Sequence, residues 1–210
     1  MKTTAFSTKL ELKDLVSKLV ILEPRFNEII ELVGTPVSRD QGYGFEALFK
    51  IIVGQQLSTH AANSIWNKLL ESNVVHPKAL LLSDDYFLRS KGLSRTKIKY
   101  AKGLASANID YSLLKQMNND EVVETLCEVK GIGRWSAEIY LIFSLKRTDV
   151  FAQGDLALQY AVKNFLNLDY RPSEKETREI AFDWRPYRSV AALLLWKYYN
   201  YLKVNKGVSI

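Results

Sequence analysis

A glycine turn and a single carboxylate are the residues of this chain whose types and spacing best suit chemistry. The turn is Gly131-Ile132-Gly133, and Asp155 lies twenty positions after Trp135. Two glycines permit a tight turn with positive φ and leave backbone amides uncovered, while the apolar pattern on both sides indicates that the turn joins two helices. Such a hairpin can hold a phosphate through its backbone, and the carboxylate is available for a separate chemical step.

The second helix of this hairpin is predicted to begin at Arg134, so that its N-terminal amides and positive dipole end point outward beside Lys130. Backbone contacts to phosphate carry no sequence information, and the hairpin would therefore suit binding at any position along a nucleic acid. The alternative is an ordinary helix–turn–helix connection that uses glycine for conformational reasons, because G-x-G is a common pattern.

Asp155 has two interpretations from its surroundings. It follows Gly154 and precedes the apolar run Leu156-Ala157-Leu158, which is the position of a helix N-cap. The same residue could instead present a reactive carboxylate, and composition leaves both interpretations open.

Composition describes an ordinary globular chain with a basic surface. The 210 residues are 47% hydrophobic and 25% charged, with a net charge of +6 and a pI near 9.2. The excess of cations favours a polyanionic partner. The longest apolar run, 190–196, is far shorter than the roughly 20 residues of a membrane span and is predicted to be a core helix. The first residues lack the hydrophobic region of a signal peptide and Cys127 is the only cysteine, so we expect an intracellular, disulfide-free protein.

The strongest local charge bias falls in residues 86–109. This segment contains six basic residues and no acid, with Tyr86, Phe87 and Tyr100 interleaved. A solvated helix face and a nucleic-acid surface are both consistent with this pattern. Other chemistries find no support, since His60 and His76 have no metal-ligand partner at suitable spacing and the chain carries neither a Walker loop nor a G-x-S-x-G motif.

Apolar residues recur with helical spacing along almost the whole chain, which predicts an all-α protein. Gly92 and Ser94 are predicted as a C-terminal and an N-terminal cap, Asn119 or Asp120 as the cap of the first hairpin helix, and Pro186 as part of the first turn of the last helix. The predicted helices cover residues 10–22, 26–32, 45–52, 58–70, 77–82, 84–91, 94–106, 111–116, 120–128, 134–144, 156–165, 173–182 and 186–201.

Five motifs, in this order along the chain, resemble the helix-hairpin-helix and Gly/Pro-Asp superfamily of DNA base-excision glycosylases, and within it the DNA-3-methyladenine glycosylase II branch. They are Ile52-Val53-Gly54-Gln55-Gln56-Leu57-Ser58, Gly92-Leu93-Ser94-Arg95-Thr96-Lys97, Gly131-Ile132-Gly133-Arg134-Trp135-Ser136-Ala137, Asp149-Val150-Phe151 leading to Gly154-Asp155, and Trp184-Arg185-Pro186-Tyr187-Arg188-Ser189.

The resemblance implies a compact two-domain helical glycosylase fold without the N-terminal β-rich domain of some relatives. One domain would comprise 45–150 and contain the hairpin at about 119–145. The other would combine 1–44 with 151–210, and the active site would lie in the cleft between them.

The resemblance also implies roles for individual residues. Asp155 would be the essential carboxylate, which stabilises an oxocarbenium-like transition state and orients water. Trp135 would stack on the base, with Trp184 and Tyr187 as further pocket walls. DNA would be held by Gly131, Gly133, Lys130, Arg134 and Ser136, while Gln55-Gln56-Leu57 and Ser58 would form the loop that fills the space left by a flipped base.

The implied function is a monofunctional glycosylase for alkylated purines, 3-methyladenine first and 7-methylguanine second. In bifunctional relatives a lysine attacks the sugar from the position of Trp135, so the indole disfavours lyase chemistry. A bifunctional enzyme of the same fold and a non-catalytic DNA-binding module are the alternatives. Lys130, Gly154 and Ile139 depart from the usual motifs, and Ile139 replaces an aromatic residue.

The expected partner is double-stranded DNA with alkylated bases, bound by a monomer in the cytoplasm and nucleoid of a prokaryote or the nucleus of a eukaryote. No organic cofactor is expected. A single cysteine excludes the four-cysteine iron–sulfur cluster of some relatives. The resemblance implies that Na⁺ or K⁺ could bind the hairpin carbonyls of Val129 and Gly131.

Overall fold

Helices account for the regular structure of the described chain, as the periodicity predicts. The computed structural model describes residues 5–6, 8–37 and 41–207, and their one β pairing is an isolated antiparallel bridge between Ala5 and Arg147. The helices of this part of the chain are α1 (Lys9–Leu22), α2 (Phe26–Val33), α3 (Gly44–Gly54), α4 (Thr59–Glu71), α5 (Pro77–Leu82), α6 (Asp85–Ser90), α7 (Arg95–Ser106), α8 (Tyr111–Leu114), α9 (Asn119–Cys127), α10 (Arg134–Phe143), α11 (Leu156–Phe165), α12 (Glu174–Phe182) and α13 (Arg188–Lys206).

Short polar side chains set several helix starts. Ser94 caps α7 by accepting a hydrogen bond from the amide of Lys97, which confirms this predicted cap. Lys91 is the C-terminal cap of α6, and Gly92, predicted for that position, follows it with a φ of +106°. The predicted cap of α9 is wrong, because Asn118 occupies that position and forms a capping box with Glu121.

The start of the last helix also differs from its prediction. Residues after α12 form a turn in which the amide of Tyr187 donates to the carbonyl of Trp184 at 2.8 Å. The helix therefore begins at Arg188, two residues after Pro186, and it continues to Lys206.

The chain divides into two compact units. One is Gln41–Leu145, and the other is formed by the described residues of 1–40 and 146–210. The limits fall at 41 and 145 rather than at 45 and 150 because the chain joins its N-terminal segment directly after Leu145. There the amide of Phe6 donates to the carbonyl of Lys146 at 3.0 Å, beside the Ala5–Arg147 bridge.

Unit 41–145 is built around α3, which contacts α4, α7 and α10. Phe45, Leu48, Phe49 and Ile52 of α3 are buried, and each such side chain contributes about 1.5–3 kcal/mol when fully removed from water. Helix α10 also packs on α9, and α7 packs on α5 and α6. The hairpin is thus fixed to the core through α10 and α3.

The unit of the two chain ends is built around α13, which contacts α1, α2 and α11. An aromatic cluster fills its interior, where Phe26 stacks on Phe165 with ring centres 4.5 Å apart. No described helix is both long and apolar enough to cross a membrane.

Candidate active site

The two glycines of the hairpin have different structural roles. Gly131 adopts a φ of +99°, and a Cβ at this position would lie 2.2 Å from Cγ of Tyr100. Its backbone therefore packs directly on an aromatic ring of α7, and the fold itself requires glycine. The prediction of positive φ is confirmed for Gly131 only, since Gly133 has the extended angles φ −96° and ψ 175°.

Gly133 is the N-cap of α10, and it provides no side chain to satisfy the first amides of that helix. A Cβ built on Gly133 would have no heavy atom within 4 Å. Neither backbone strain nor packing explains glycine here. The exposed position instead leaves space for an outside group to approach the amides of α10, which suits an anion.

Of the two cations near the start of α10, Arg134 is close to an acid and, within the described chain, Lys130 is not. Lys130 is exposed, whereas Arg134 places Nη1 3.6 Å from Oε1 of Glu138, a buried carboxylate one turn along α10. The side chain of Arg134 remains 51% exposed. Lys130 and the dipole of α10 thus supply most of the uncompensated positive potential at the turn.

Gln55 links the loop after α3 to the hairpin. Its Nε2 donates to the carbonyl of Gly131 at 2.9 Å and to Oγ of Ser136 at 3.0 Å. The side chain is half-buried, and Ser136 is only 2% exposed. Gln55 and Ser136, both predicted to contact DNA, are therefore brought together as an internal connection of this unit.

The remaining loop residues point toward solvent. Gln56 has a φ of 56°, which is uncommon for a residue with a side chain, and it is exposed. Leu57 is 41% exposed, and Ser58 caps α4 by accepting a hydrogen bond from the amide of Ala61 at 3.2 Å. Of the predicted insertion loop, Gln56 and Leu57 are the side chains presented outward.

Lys97 fixes the beginning of the same loop. Its Nζ donates to the carbonyl of Val53 at 2.6 Å, and partial burial lowers the pKa of this amine. A cation at a helix C-terminus stabilises the helix dipole and satisfies a terminal carbonyl. The loop is consequently held by Lys97 at its start and by Gln55 at the hairpin.

The hairpin carbonyls implied as cation ligands already accept hydrogen bonds. Val129 accepts from the amide of Ile132 at 3.0 Å, and Gly131 accepts from Gln55. A carbonyl oxygen has a second lone pair, so the Na⁺ or K⁺ site stays a prediction. Among the described residues, no group of three His, Cys, Asp or Glu side chains could hold a metal.

Trp135 lies in the first turn of α10 and is half-buried. Ile139, one turn further along, is 7% exposed, so the side chain that replaces the usual aromatic residue belongs to the interior. The indole of Trp135 retains exposed surface at the helix end that also carries the uncapped amides.

Asp155 is the N-cap of α11, and its carboxylate is fixed by two donors. Oδ1 accepts a hydrogen bond from the amide of Leu158 at 3.0 Å and another from Nε1 of Trp196 at 3.1 Å. The capping interpretation of Asp155 is thus confirmed, and it is compatible with the chemical one because a cap also holds the carboxylate in a single orientation. Trp196 was not predicted, since no local pattern connects residues 41 positions apart.

A second network fastens the segment before Asp155 to α13. Arg188 donates from Nε to Oδ1 of Asp149 at 2.6 Å, and Nε of Arg185 lies 3.2 Å from Oδ2. The hydroxyl of Ser189 bonds the amide and the carbonyl of Val150, each at 3.0 Å. The two arginines of the last motif therefore pair with an acid.

Trp184 does not form a pocket wall. It is 2% exposed and its ring packs against Phe26, Phe151 and Phe165, with centroid separations between 5.4 and 5.9 Å. A tryptophan surrounded by core aromatics cannot stack on a ligand, so this prediction is wrong. Tyr187, its neighbour in the motif, is half-buried at the N-cap of α13.

The hairpin, the loop fastened to it and the fixed carboxylate match a known family. The family model for HhH-GPD superfamily base excision DNA repair proteins matches residues 49–186. The chain belongs to this superfamily. The resemblance that the five motifs indicate is thereby confirmed, and so is the all-α fold.

Relatives within the HhH-GPD superfamily agree over nearly the full chain. DNA-3-methyladenine glycosylase 1 of Schizosaccharomyces pombe is 31% identical over 188 residues, which cover 84% of this chain and 82% of that protein. The 3-methyladenine DNA glycosylase of the same yeast, solved in complex with abasic DNA, superposes with a TM-score of 0.81 at 28% identity and covers 94% of this chain and 100% of the other. A DNA-3-methyladenine glycosidase of Bacillus halodurans gives a TM-score of 0.73 at 30% identity, with coverages of 98% and 95%.

Proposed function

We propose that this protein is a monofunctional DNA glycosylase that hydrolyses the N-glycosidic bond of alkylated purines, mainly 3-methyladenine and also 7-methylguanine. The observation that carries the proposal is the carboxylate of Asp155, held at Oδ1 by the Leu158 amide and the Trp196 indole. Relatives named DNA-3-methyladenine glycosylases support the substrate class.

Asp155 provides the catalytic charge in the proposed reaction. An N-alkylated purine is already cationic and departs without a general acid, so the main requirement is stabilisation of positive charge on the sugar. A carboxylate with a fixed orientation meets this requirement without reorganisation during the step. Water then adds to the sugar and an abasic site remains.

Trp135 supplies the affinity for the base. An electron-rich indole attracts a cationic ring by stacking and cation–π interaction, worth up to about 2 kcal/mol when water is excluded. An indole carries no amine that could form a Schiff base with the sugar. The proposed product is therefore the intact strand with an abasic site.

The hairpin and the adjoining loop hold the duplex in this proposal. The first amides of α10, left uncapped by Gly133, bind a backbone phosphate of double-stranded DNA, with Lys130 as the neighbouring cation. Gln56 or Leu57 fills the gap left by the flipped nucleotide, because the amide of Gln55 is engaged by the hairpin. The enzyme acts as a monomer.

The proposal is tested by release of methylated bases from alkylated duplex DNA. Asp155→Asn keeps an N-cap acceptor and an oxygen for the Trp196 indole, so the fold should be retained while the negative charge is lost. We expect excision to fall by at least 10²-fold, with the melting temperature nearly unchanged. Equal rates in the two proteins, or no excision by the wild type, would refute the catalytic assignment.

A second assay distinguishes hydrolysis from lyase chemistry. Incubation with borohydride and lesion-containing duplex should trap no covalent complex, because no amine replaces the indole of Trp135. A trapped complex would identify a bifunctional glycosylase and contradict the proposed role of water.

A further inference from the structure

The basic segment of residues 86–109 forms both sides of a surface groove between α6 and α7. The groove has a volume of about 670 Å³. Its lining residues are Asp85, Tyr86, Arg89, Arg95, Ile98, Lys99 and Lys102. Ile98 forms an apolar floor, since it is only 1% exposed, and the charged residues form the rim.

Three cations of the rim keep their charge available. In the part of the chain that the structure describes, Arg89, Arg95 and Lys99 are exposed and form no ion pair, whereas Lys102 lies 2.6 Å from Oδ1 of Asp85. Arg95 and Lys99 are one helical turn apart, which places their backbones about 6 Å apart along the axis of α7. A row of repeated cations suits a ligand with repeated negative charges better than a single small anion.

An exposed aromatic residue accompanies these cations. Tyr86 is 85% exposed at the edge of the groove. A solvated helix face requires charge alone, while arginine, lysine and tyrosine together supply the side-chain donors that contact phosphate and sugar in DNA complexes.

The groove lies next to the hairpin but on another face of the same helix. Tyr100 of α7 packs under the backbone of Gly131, and Ile98 and Lys102 lie roughly half a turn around the helix from it. The groove is therefore about one helix diameter, roughly 10 Å, from the turn that we propose to hold a phosphate. DNA held at the turn extends beyond it and brings further phosphates within reach.

We propose that the α6–α7 groove is a second DNA-binding surface, which contacts the phosphate backbone of the duplex flanking the lesion. This inference rests on the proposed function, because the hairpin must first hold the DNA. Arg89, Arg95 and Lys99 contact phosphates, and Tyr86 packs against the sugar–phosphate chain. The groove adds affinity without sequence preference and takes no part in the chemical step.

The test compares short with long duplexes. Arg95→Gln/Lys99→Gln is measured with 10-bp and 24-bp duplexes that carry a central abasic-site analogue, over a series of salt concentrations. We expect affinity for the long duplex to fall on the order of tenfold and its log–log salt slope to decrease in magnitude by about 1.8, since each lost phosphate contact removes about 0.9. The short duplex, which offers fewer flanking phosphates to the groove, should lose less affinity than the long one.

Lys13→Gln/Lys203→Gln is the matched control, because it removes the same charge from exposed positions on α1 and α13 in the other unit. This control should reproduce the wild-type slope on the long duplex. Unchanged binding by the groove variant on both duplexes, or an equal loss on both, would overturn the proposal.

The two proposals fail in distinguishable ways. At saturating enzyme concentration, the groove variant should release methylated bases from either duplex at the wild-type rate. Absence of base release by the wild type would refute the proposed function, while the dependence of binding on duplex length remains measurable with the abasic analogue.

Discussion

At the scale of single residues, Asp155 caps α11 in the structure and supplies the catalytic charge in the proposed reaction, two roles that its sequence context presents as alternatives. The capping bond to Leu158 and the indole bond from Trp196 both fall on Oδ1. The two bonds together restrict the rotation of the carboxylate. The hydrogen bonds that make Asp155 a helix cap therefore also orient the carboxylate that the proposed reaction requires.

Replacement of the indole donor tests this arrangement. Trp196→Phe keeps an aromatic ring but removes Nε1–H, so we expect the excision rate constant to fall on the order of tenfold while KM changes little, with a stability loss of about 1 kcal/mol. Single-turnover excision and urea denaturation measure the two effects. Trp66→Phe, at a buried site of the other unit, should lower stability alone. A KM effect without a rate effect would exclude the positioning role.

Alanine substitutions of Trp184 and Trp135 should differ in their effects on stability and on base excision. Trp184→Ala removes a side chain from the aromatic core and should cost about 3–5 kcal/mol of unfolding free energy. Trp135→Ala affects a half-buried side chain and should cost less, but it should weaken excision of cationic bases. Urea denaturation and base-release assays of both variants check the assignment, and the reverse pattern would restore Trp184 to the pocket.

At the scale of elements, the two glycines of the hairpin differ, because the fold requires Gly131 whereas the proposed phosphate binding depends on Gly133. Gly131 is required by its positive φ and by the ring of Tyr100, whereas Gly133 meets no such constraint. Sequence spacing alone presents them as equivalent members of one G-x-G pattern.

Substitutions at the two glycines should affect different properties, stability at Gly131 and duplex affinity at Gly133. Gly131→Ala should destabilise the protein on the order of 3 kcal/mol, because it adds both backbone strain and a clash. Gly133→Ser should preserve stability, since serine is a favoured N-cap, yet its hydroxyl would take the amide offered to phosphate. We expect duplex affinity of Gly133→Ser to fall about tenfold for any sequence. Calorimetry and fluorescence anisotropy measure these effects, and wild-type affinity in Gly133→Ser would exclude phosphate binding at this end of α10.

The helices were largely predictable, because their signals are local. Apolar spacing and the predicted cap Ser94 place most helix starts within a few residues. Contacts between distant residues carry no such signal. The connection of Gln55 to Gly131 and the burial of Trp184 depend on packing between separate helices, so no local pattern of the sequence indicates either.

At the scale of the whole molecule, each unit has its own core, and the core of unit 41–145 includes a cluster of tyrosines. In unit 41–145, Tyr43, Tyr111 and Tyr140 form a cluster at the start of α3, where Tyr43 donates to the carbonyl of Tyr111 and the amide of Gly44 donates to the hydroxyl of Tyr140. Burial raises the pKa of Tyr111 to about 12 and raises the pKa of Tyr140 as well.

This cluster predicts loss of stability in alkali. A tyrosine whose pKa is raised on folding contributes stability that is fully present below its unfolded pKa of about 10 and is lost as pH rises through the folded pKa of about 12. The unfolding free energy should therefore decline between pH 10 and 12, by up to about 1.4 kcal/mol per pH unit for each such group. Tyr111→Phe, measured by urea denaturation along a pH series, should show a shallower decline. An unchanged slope would mean that Tyr111 does not ionise with unfolding in this range.

The double hydrogen bond of Gln55 also affects how such a protein would search a genome. One side-chain amide joins the loop of Gln56 and Leu57 to the hairpin. In the proposed function, the group that enters the base stack would therefore stay at a fixed offset from the phosphate held by the hairpin. Each binding event would then interrogate a single base step. To inspect the next base step, the protein would have to release the DNA phosphate and bind the following one. The search along DNA would then proceed by short hops, and the time bound at each position would determine its rate.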